Sequence, residues 1–507
     1  MWLLCHCLPK NIIYIYDHTL FLLLVNCFPP RKRKMNQGTI SPFVPHVLIF
    51  PAPGQGHVNS MLKLAEVLYL SGLHHITFLN FEFMYKNLTD VESRFTSKYP
   101  GFQFKTIPDS FSIDDGPTDP AEWLREALDA SKKTGKPNFK KFLIEFNPPV
   151  TYIIGDMAMS FIHDVAIEVG IPSIQFHTIS ACCMWVLHCV PDIVAANQLP
   201  IKGEEDMDRL ITAVPGMETI LRCRDLPKKF CQVNDINHPH LLMLTNEMRE
   251  AESLILNTFE ELEGPILSQI RTRYPKTYAI GPIHQLLKTK LESSHSNSIW
   301  QVDRSCMEWL DKQPLESVLY ISFGSISLMT RDQIMELWYG LANSNHRFLW
   351  VMRHGSLLDE NGNVLENIPT ELEVGLKERG YVVSWAPQEE VLGHKAIGGF
   401  WTHSGWNSTL ESIVAGVPML CLPYYADQQV NSRFVSEVWK MGLDMKDTCD
   451  RKIVEKMVND LMVDRRDEFV KSAAKMAKLA RNSVQEGGSS SGNLNSLIEE
   501  IKKLSMK

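Results

Sequence analysis

The sequence predicts an α/β protein built from two doubly wound, Rossmann-like domains that face each other across a cleft. The 507 residues exceed the roughly 250 to 300 at which a single hydrophobic core stops growing. Short apolar runs alternate with helical patterns in both halves, which is typical of parallel sheets covered on both faces. A polar stretch, Lys288–Ser298, separates the halves.

The first half opens with a strand, a tight turn and a helix. The apolar run His46–Phe50 precedes Gly54 and Gly56, and an amphipathic stretch follows at Val58–Leu70. Further strands are predicted at Ile76–Leu79, Tyr152–Ile154, Ser173–Phe176 and Thr277–Ile280.

The second half repeats this alternation. Its predicted strands are Val318–Phe323, Arg347–Met352, Tyr381–Val383, Gly398–Phe400 and Met419–Leu422. Near the end, Glu486–Gly492 should break one helix before an amphipathic one at Leu494–Leu504. Ligands of open parallel sheets bind at the carboxyl ends of the strands, so two such domains predict a shared ligand cleft.

The predicted domain boundaries follow from these patterns. They are an extension outside the fold at 1–34, an N-terminal Rossmann-like domain at 35–285, a linker at 286–300, a C-terminal Rossmann-like domain at 301–485, and a segment with a helix packing back on the first domain at 486–507. The extension contains an apolar stretch, Leu20–Val25, that a membrane anchor would also contain. That run is shorter than the roughly 20 residues that span a bilayer, and basic residues follow it rather than precede it.

Composition excludes several classes of protein. Hydrophobic residues at 44% and charged residues at 22% are ordinary for a folded, soluble protein. The net charge of -8, without a long basic run in the body of the chain, argues against a nucleic-acid partner. The 11 cysteines are scattered without the CxxC spacing of a zinc site. We expect a cytoplasmic monomer with reduced thiols and no stable membrane insertion.

The densest motif is Trp385–Gln428. A strand ending near Trp401 runs into His403–Gly405, and a helix should start at Trp406 or Asn407. Unpaired amides and the positive end of the helix dipole make such a start an anion site, which a diphosphate would fit.

Two interpretations are open for the start of this helix. Ser408 and Glu411 have the spacing of a capping box, so they could simply close the helix. Alternatively, His403, Asn407 and Ser408 donate to a phosphate while Glu411 accepts from ribose hydroxyls.

The flanks of the motif carry further polar and aromatic groups. Trp385 and Gln388 could stack on and hydrogen-bond a uracil, although an isolated tryptophan is usually a core residue. Asp427 and Gln428 follow the next strand and would bring acceptors and donors to the hydroxyls of a sugar.

A second motif, PAPGQGHVNS, places His57 where the first strand meets its helix. A lone histidine there is more often a cap or a packing residue. However, Asp156 ends the strand TYIIGD at the same edge of the sheet, or else serves only as a turn residue there. Its carboxylate could hold one imidazole nitrogen and leave the other as a general base. The helix start should oppose protonation and keep His57 neutral.

The 44 residues from Trp385 to Gln428 closely resemble the signature box of plant family 1 glycosyltransferases, which use UDP-sugars and have the GT-B fold. The resemblance implies a UDP-sugar site formed by Ser325 of the stretch YISFGS and by Trp385, Ala386, Gln388, His403, Gly405, Trp406, Asn407, Ser408, Glu411, Asp427 and Gln428. Trp406 with Gln428 is the usual pattern for glucose in this family, while UDP-galactose and UDP-xylose stay open.

The resemblance also implies a mechanism. His57, steered by Asp156, removes the proton of an acceptor hydroxyl, and a single displacement inverts the anomeric configuration from α to β. No metal or cofactor is required. Asp206 and Asp208 match the short DxD pattern of metal-dependent transferases, but three residues are a weak signal, and a solvated loop is expected.

The acceptor is predicted to be a small apolar molecule bound by the first domain. Candidate pocket residues, each of which could equally be core, are Phe83, Met84, Phe161, Met184 and Trp185. The segments HVLIFPAPGQGHVNSMLKLAEVL and YYADQQVNSRFVSEVWKMGLDMKD resemble the branch containing 7-deoxyloganetic acid glucosyltransferases, which act on iridoids. Flavonoid, cyanohydrin and other terpenoid acceptors remain alternatives, as do a catalytically idle UDP-sugar sensor and a membrane-anchored transferase of the secretory lumen.

Overall fold

The computed structural model describes residues 44–85, 88–109, 120–227, 253–291, 303–324, 329–352, 357–358, 379–446 and 450–506. Val44–Lys507 form one compact unit that contains two large parallel sheets. Ser325 and the predicted extension, 1–34, lie outside the described residues.

The first sheet has seven parallel strands in the order β3-β2-β1-β4-β5-β6-β7. They are β1 His46–Phe50, β2 His75–Phe81, β3 Phe102–Ile107, β4 Tyr152–Asp156, β5 Ser173–His177, β6 Ser253–Leu256 and β7 Lys276–Ala279. The direction of strand addition reverses between β1 and β4, and both strands are buried along their whole length.

The second sheet has six parallel strands in the order β12-β10-β8-β13-β14-β15, and β9 and β11 form a separate pair. The strands are β8 Val318–Ser322, β9 Met329–Thr330, β10 Arg347–Val351, β11 Leu357–Leu358, β12 Gly380–Val383, β13 Ile397–Thr402, β14 Met419–Cys421 and β15 Gly442–Asp444. Here the reversal lies between β8 and β13. The prediction of two doubly wound α/β domains is therefore confirmed.

Helices connect the strands and cover the sheets. They are α1 Gln55–Leu70, α2 Glu82–Tyr85, α3 Thr89–Lys98, α4 Pro120–Glu145, α5 Phe161–Val169, α6 Ala181–His188, α7 Val190–Ala195, α8 Glu260–Arg273, α9 Ile283–Lys288, α10 Ser305–Leu310, α11 Arg331–Ser344, α12 Gln388–Leu392, α13 Trp406–Ala415, α14 Gln428–Arg433, α15 Arg451–Asn459, α16 Arg466–Ser483 and α17 Ser489–Ser505. Short helical turns lie at Glu204–Asp206, Cys223–Asp225, Phe434–Val438 and Asp460–Asp464. Within the described ranges, no helix combines the length and the apolar character needed to cross a membrane.

The structure corrects several predicted boundaries. α1 begins at Gln55 rather than Val58. α17 begins at Ser489 rather than Leu494, because Gly488 acts as its N-cap and the following serines form its first turn. Strands β3, β6, β9, β11 and β15 were not predicted.

Several hydrogen bonds tie the end of the chain to the first domain. Ser490 donates to the carbonyl of Gly281, and Asn493 Nδ2 donates to the carbonyl of Ala279 at 2.9 Å. α17 therefore lies against β7 and β4 of the first sheet. The predicted linker is described only up to Leu291, and its first residues complete α9.

Candidate active site

The two points of strand reversal position the site. Loops that leave neighbouring strands in opposite directions open a crevice at the carboxyl edge of a sheet. In the first sheet, this crevice lies between His57, which follows β1, and Asp156, which ends β4. In the second, it lies between Gly324 after β8 and the loop His403–Gly405 after β13. A cavity of about 420 Å³ lies between the two edges and is lined from both domains.

His57 and Asp156 form a hydrogen-bonded pair. Nδ1 of His57 lies 2.8 Å from Oδ2 of Asp156, which is fully buried, while the histidine side chain is 24% exposed. The backbone N–H groups of Ala52 and Ala158 donate to the carboxylate at 3.1 and 3.0 Å. Because a carboxylate only accepts, Nδ1 carries the proton and Nε2 is the nitrogen that can accept one.

The alternatives for these two residues can now be judged. No side chain caps α1, whose N-cap is Gly54, so the interpretation of His57 as a cap is wrong. Asp156 does serve the turn after its strand through Ala158, but it binds the imidazole at the same time. Thr178 Oγ1 lies 3.2 Å from the same imidazole nitrogen.

The pKa of His57 shifts in the direction opposite to the one expected from the helix start. Burial favours the neutral ring, but the charge and hydrogen bond of Asp156, together with the charge of Asp427, outweigh it. They raise the pKa of His57 above its usual value. The helix start was expected to oppose protonation, but the carboxylates of Asp156 and Asp427 favour it more strongly.

The loop after β13 forms a helix start that faces the cavity. Gly405 is the N-cap of the ten-residue helix α13, which begins at Trp406. A Cβ on Gly405 or on Gly324 would lie 2.5 Å from Nε2 of His403, so glycine at both positions lets the two loops enclose this ring. The first amides of a helix lack acceptors within the helix, and they bind anions well.

The capping-box interpretation of Ser408 and Glu411 is wrong. Ser408 is the third residue of α13, not its N-cap, and no side chain caps this helix. Instead, Gln388 Nε2 donates to Ser408 Oγ and to Glu411 Oε2, both at 2.8 Å. The Oε1 atom of Gln388 accepts from the hydroxyl of Tyr320 at 3.2 Å. A uracil would therefore have to replace existing partners of Gln388.

Trp385 and Ala386 line the same end of the cavity. The Trp385 side chain is partly exposed, whereas Ala386 is 5% exposed. A partly exposed indole at the mouth of a cavity offers a face on which a base can stack.

The first two residues of α13 bind the first domain. Trp406 is 3% exposed, and its Nε1 donates to the carbonyl of Asn257 at 2.8 Å. Asn407 Nδ2 donates to the carbonyl of Gly56 at 3.1 Å, and the Ser60 hydroxyl donates to Asn407 Oδ1 at 2.8 Å. The indole thus belongs to the interface between the domains.

Asp427 and Gln428 also line the cavity. Oδ2 of Asp427 accepts from Asn431 at 2.7 Å, and burial raises the pKa of Asp427 to about 6. Gln428 Oε1 accepts the amides of Tyr424 and Tyr425 at 2.7 and 3.1 Å. This fixes the orientation of the carboxamide, so Gln428 offers its side-chain NH₂ as a donor while Asp427 offers an acceptor.

All the predicted donor residues that are described line this one cavity, as does His57. The acceptor candidates do not: the side chains of Phe83, Met84, Phe161, Met184 and Trp185 are at most 7% exposed and lie in the core clusters. Among the described residues, no three metal-ligating side chains form a group that could hold an ion. Asp208 is engaged by Arg222 and Arg224 at 3.0 and 2.8 Å.

The sequence reasoning missed a charged cluster in the cavity wall. Lys63 Nζ lies 2.5 Å from Glu389 Oε1, and Lys288 Nζ lies 2.9 Å from Glu389 Oε2. The sequence does contain an indication of this cluster. Positions 56, 60 and 63 share one face of α1 by helical spacing, and that face carries the polar side chains of Ser60 and Lys63.

Comparison with known proteins identifies the family. Residues 276–476 match the family described as UDP-glucoronosyl and UDP-glucosyl transferase. Over 479 residues, the chain is 55% identical to the 7-deoxyloganetic acid glucosyltransferase of Catharanthus roseus, covering 91% of this chain and 98% of that protein. The chain therefore belongs to this family and is a UDP-glycosyltransferase.

Solved structures agree on the fold. Os79 from O. sativa in complex with UDP superposes with a TM-score of 0.74 at 28% identity, covering 90% of this chain and all of that one. Medicago truncatula UGT71G1 complexed with UDP-glucose gives a TM-score of 0.73 at 28% identity, covering 90% and 98%. The protein has the GT-B fold, as predicted.

Proposed function

We propose that this protein transfers glucose from UDP-glucose to a hydroxyl of a small apolar metabolite, an iridoid such as 7-deoxyloganetic acid, and releases a β-glucoside. The observation that supports the reaction is the His57–Asp156 pair, whose imidazole lines the same cavity as all the described donor residues. The acceptor class is supported by the 55% identity to an enzyme named for that acid.

His57 acts as the general base. Its Nε2 takes the hydroxyl proton while the acceptor oxygen forms a bond to the anomeric carbon. The bond from that carbon to the β-phosphate oxygen breaks, and UDP leaves with the electron pair. One displacement converts the α-linked donor into a β-glucoside. The charges of Asp156 and Asp427, which raise the pKa of His57, also stabilise the imidazolium that forms.

The departing diphosphate gains its negative charge beside the start of α13. Amides held in place before the reaction stabilise that charge without reorganisation. We propose that these donors suffice and that no metal ion or cofactor takes part. Transfer should then persist at full rate in excess EDTA, and restoration of a lost rate by a divalent cation would contradict this.

The test is incubation of the purified protein with UDP-glucose and a panel of aglycones, read by mass spectrometry. Iridoid acids should gain one hexosyl unit, with flavonoid, cyanohydrin and other terpenoid aglycones reacting more slowly. Parallel reactions with UDP-galactose and UDP-xylose test the preference for glucose. Efficient transfer only to a non-iridoid aglycone would overturn the assignment of the acceptor, but the proposed glucosyltransferase activity would still stand.

The idle UDP-sugar sensor remains the second candidate. A sensor would bind UDP and transfer nothing to any acceptor, whereas the buried, hydrogen-bonded Asp156 favours transfer. We also propose that the protein is a cytoplasmic monomer. The cysteines Cys182, Cys183, Cys189, Cys223, Cys306 and Cys421 are free thiols, which suits a reducing compartment. Cell fractionation and light scattering would test this.

A further inference from the structure

Helix α1 reaches across the cleft to the donor side of the site. Its first turn carries the base His57, and its next turns carry Ser60 and Lys63 on the face that meets the second domain. Lys63 Nζ lies 2.5 Å from Oε1 of Glu389 and 3.8 Å from Oε1 of Glu411. A single side chain of the acceptor-binding domain therefore contacts two carboxylates of the donor-binding domain.

The two oxygens of Glu411 face different partners. Oε2 accepts from Gln388 Nε2 at 2.8 Å, and Oε1 faces Lys63. The side chains of Lys63 and Glu411 are only 19% and 12% exposed. Burial raises the pKa of Glu411, and the positive charge of Lys63 is the strongest influence that opposes this rise. A carboxylate in such surroundings stays ionised only with a cation beside it.

The other charged groups around Glu411 show why the positive charge of Lys63 matters for it. The charge of Glu389 works against the ionisation of Glu411, while Lys288 contacts Glu389 through its other oxygen, Oε2. Burial lowers the pKa of His284 to about 3, so this ring adds no positive charge near neutrality. The hydroxyl of Tyr320 also faces the cluster, where it donates to Gln388.

We propose that Lys63 is a positioning residue for the nucleotide: it keeps Glu411 ionised and oriented to accept the ribose hydroxyls, and it ties that contact to the helix that carries His57. The inference rests on the proposed function in that Glu411 binds the ribose of a nucleoside diphosphate. An ionised carboxylate accepts from both hydroxyls, whereas a protonated one carries a donor in place of an acceptor.

The test measures UDP binding to the full chain by calorimetry, without any acceptor. Lys63→Met should weaken UDP binding about 10-fold at neutral pH, the size expected for a hydrogen bond to a charged group. The affinity of this variant should recover as the pH rises, because Glu411 then ionises without the lysine, while the wild type changes less. Lys63→Arg should retain most of the affinity, and Lys63→Gln should behave as Lys63→Met does.

Two comparisons separate positioning from a general structural role. Lys288→Met removes the other partner of Glu389 and should cause a smaller loss with the pH dependence of the wild type. In a Glu411→Gln background, Lys63→Met should cause little further loss, because its partner can no longer ionise. Thermal unfolding of each variant checks that it is folded.

The results distinguish a failure of the role inferred for Lys63 from a failure of the proposed function. Equal UDP affinity of Lys63→Met and wild type at every pH would overturn the inference, as would a loss that is independent of pH and persists in the Glu411→Gln background. Failure of the wild type itself to bind UDP would instead overturn the proposed function.

Discussion

The polar residues on the two sides of the cavity differ in where their hydrogen-bond partners lie. On the acceptor side, Asp156 accepts two backbone amides and the imidazole of His57, all from its own domain. On the donor side, Gln388 and Glu411 bind each other, and Asn407 binds the first domain. The base is thus held by contacts within its own domain, whereas the donor side also depends on a contact across the cleft.

We therefore expect substitutions on the two sides of the cavity to have different effects. Changes at the His57–Asp156 pair should reduce turnover and leave nucleotide binding intact, because His57 is the residue proposed to contact the acceptor. Changes at the donor wall should weaken nucleotide binding, because those residues gain their proposed partners only when UDP binds. The predictions below test this division in order of expected size.

The largest effect is expected for His57→Ala. Removal of a general base typically costs about 100- to 10,000-fold in rate, so turnover should fall by that factor while the affinity for UDP stays within about 2-fold of wild type. Steady-state kinetics and calorimetry measure the two quantities. The matched control is His74→Ala, which removes an exposed histidine and should leave turnover unchanged. Near-normal turnover of His57→Ala would rule out the proposed base.

Asp156→Asn should reduce turnover by about 100-fold. An amide can no longer stabilise the imidazolium, and its NH₂ group would face one of the amides of Ala52 and Ala158. A buried donor left without an acceptor should also lower the free energy of unfolding by about 1 to 3 kcal/mol. Denaturant titration measures this loss, and an unchanged rate would show that the carboxylate does not orient the ring.

The pH dependence follows from the raised pKa of His57. The neutral ring is the active form, so kcat/KM should be constant at high pH and fall as the pH drops through a value above the usual 6.5. In Asp156→Asn the residual activity should fall at a lower pH, because the charge that raises the pKa is gone. A low-pH limb that stays in place in this variant would separate the titrating group from His57.

The smallest effect is expected for Trp385→Ala. Loss of a stacking partner typically weakens base binding by about 5- to 100-fold, so the affinity for UDP and the KM for UDP-glucose should change together while kcat changes little. Calorimetry with UDP and steady-state kinetics measure this. A large fall in kcat with unchanged UDP affinity would place Trp385 on the acceptor side instead.

Much of the fold was predictable because buried parallel strands are continuous apolar runs. The run His46–Phe50 is one, and its structure matches the predicted boundaries. Strand β3 escaped prediction since it is the edge strand of its sheet and alternates buried with exposed positions. Strand β15 escaped since it has only three residues, of which two are partly exposed.

The site was predictable where one motif or one sheet edge defines it, as for His57 and Asp156. Contacts between the two domains could not be predicted from the sequence. Lys63 and Glu389 are separated by 326 positions, and only the docking of the domains brings them together. The raised pKa of His57 was missed because the charge and hydrogen bond of Asp156 outweigh burial, and the charge of Asp427 from the other domain adds to them.

The most direct test of the account is a crystal structure of the protein with UDP and a bound acceptor. It should retain the 2.8 Å contact between His57 and Asp156, place the acceptor hydroxyl about 2.6 to 3.2 Å from Nε2, and show Gln388 turned from Glu411 to the uracil. An imidazole turned away from the diphosphate, or a Gln388–Glu411 bond that persists with UDP in place, would contradict it.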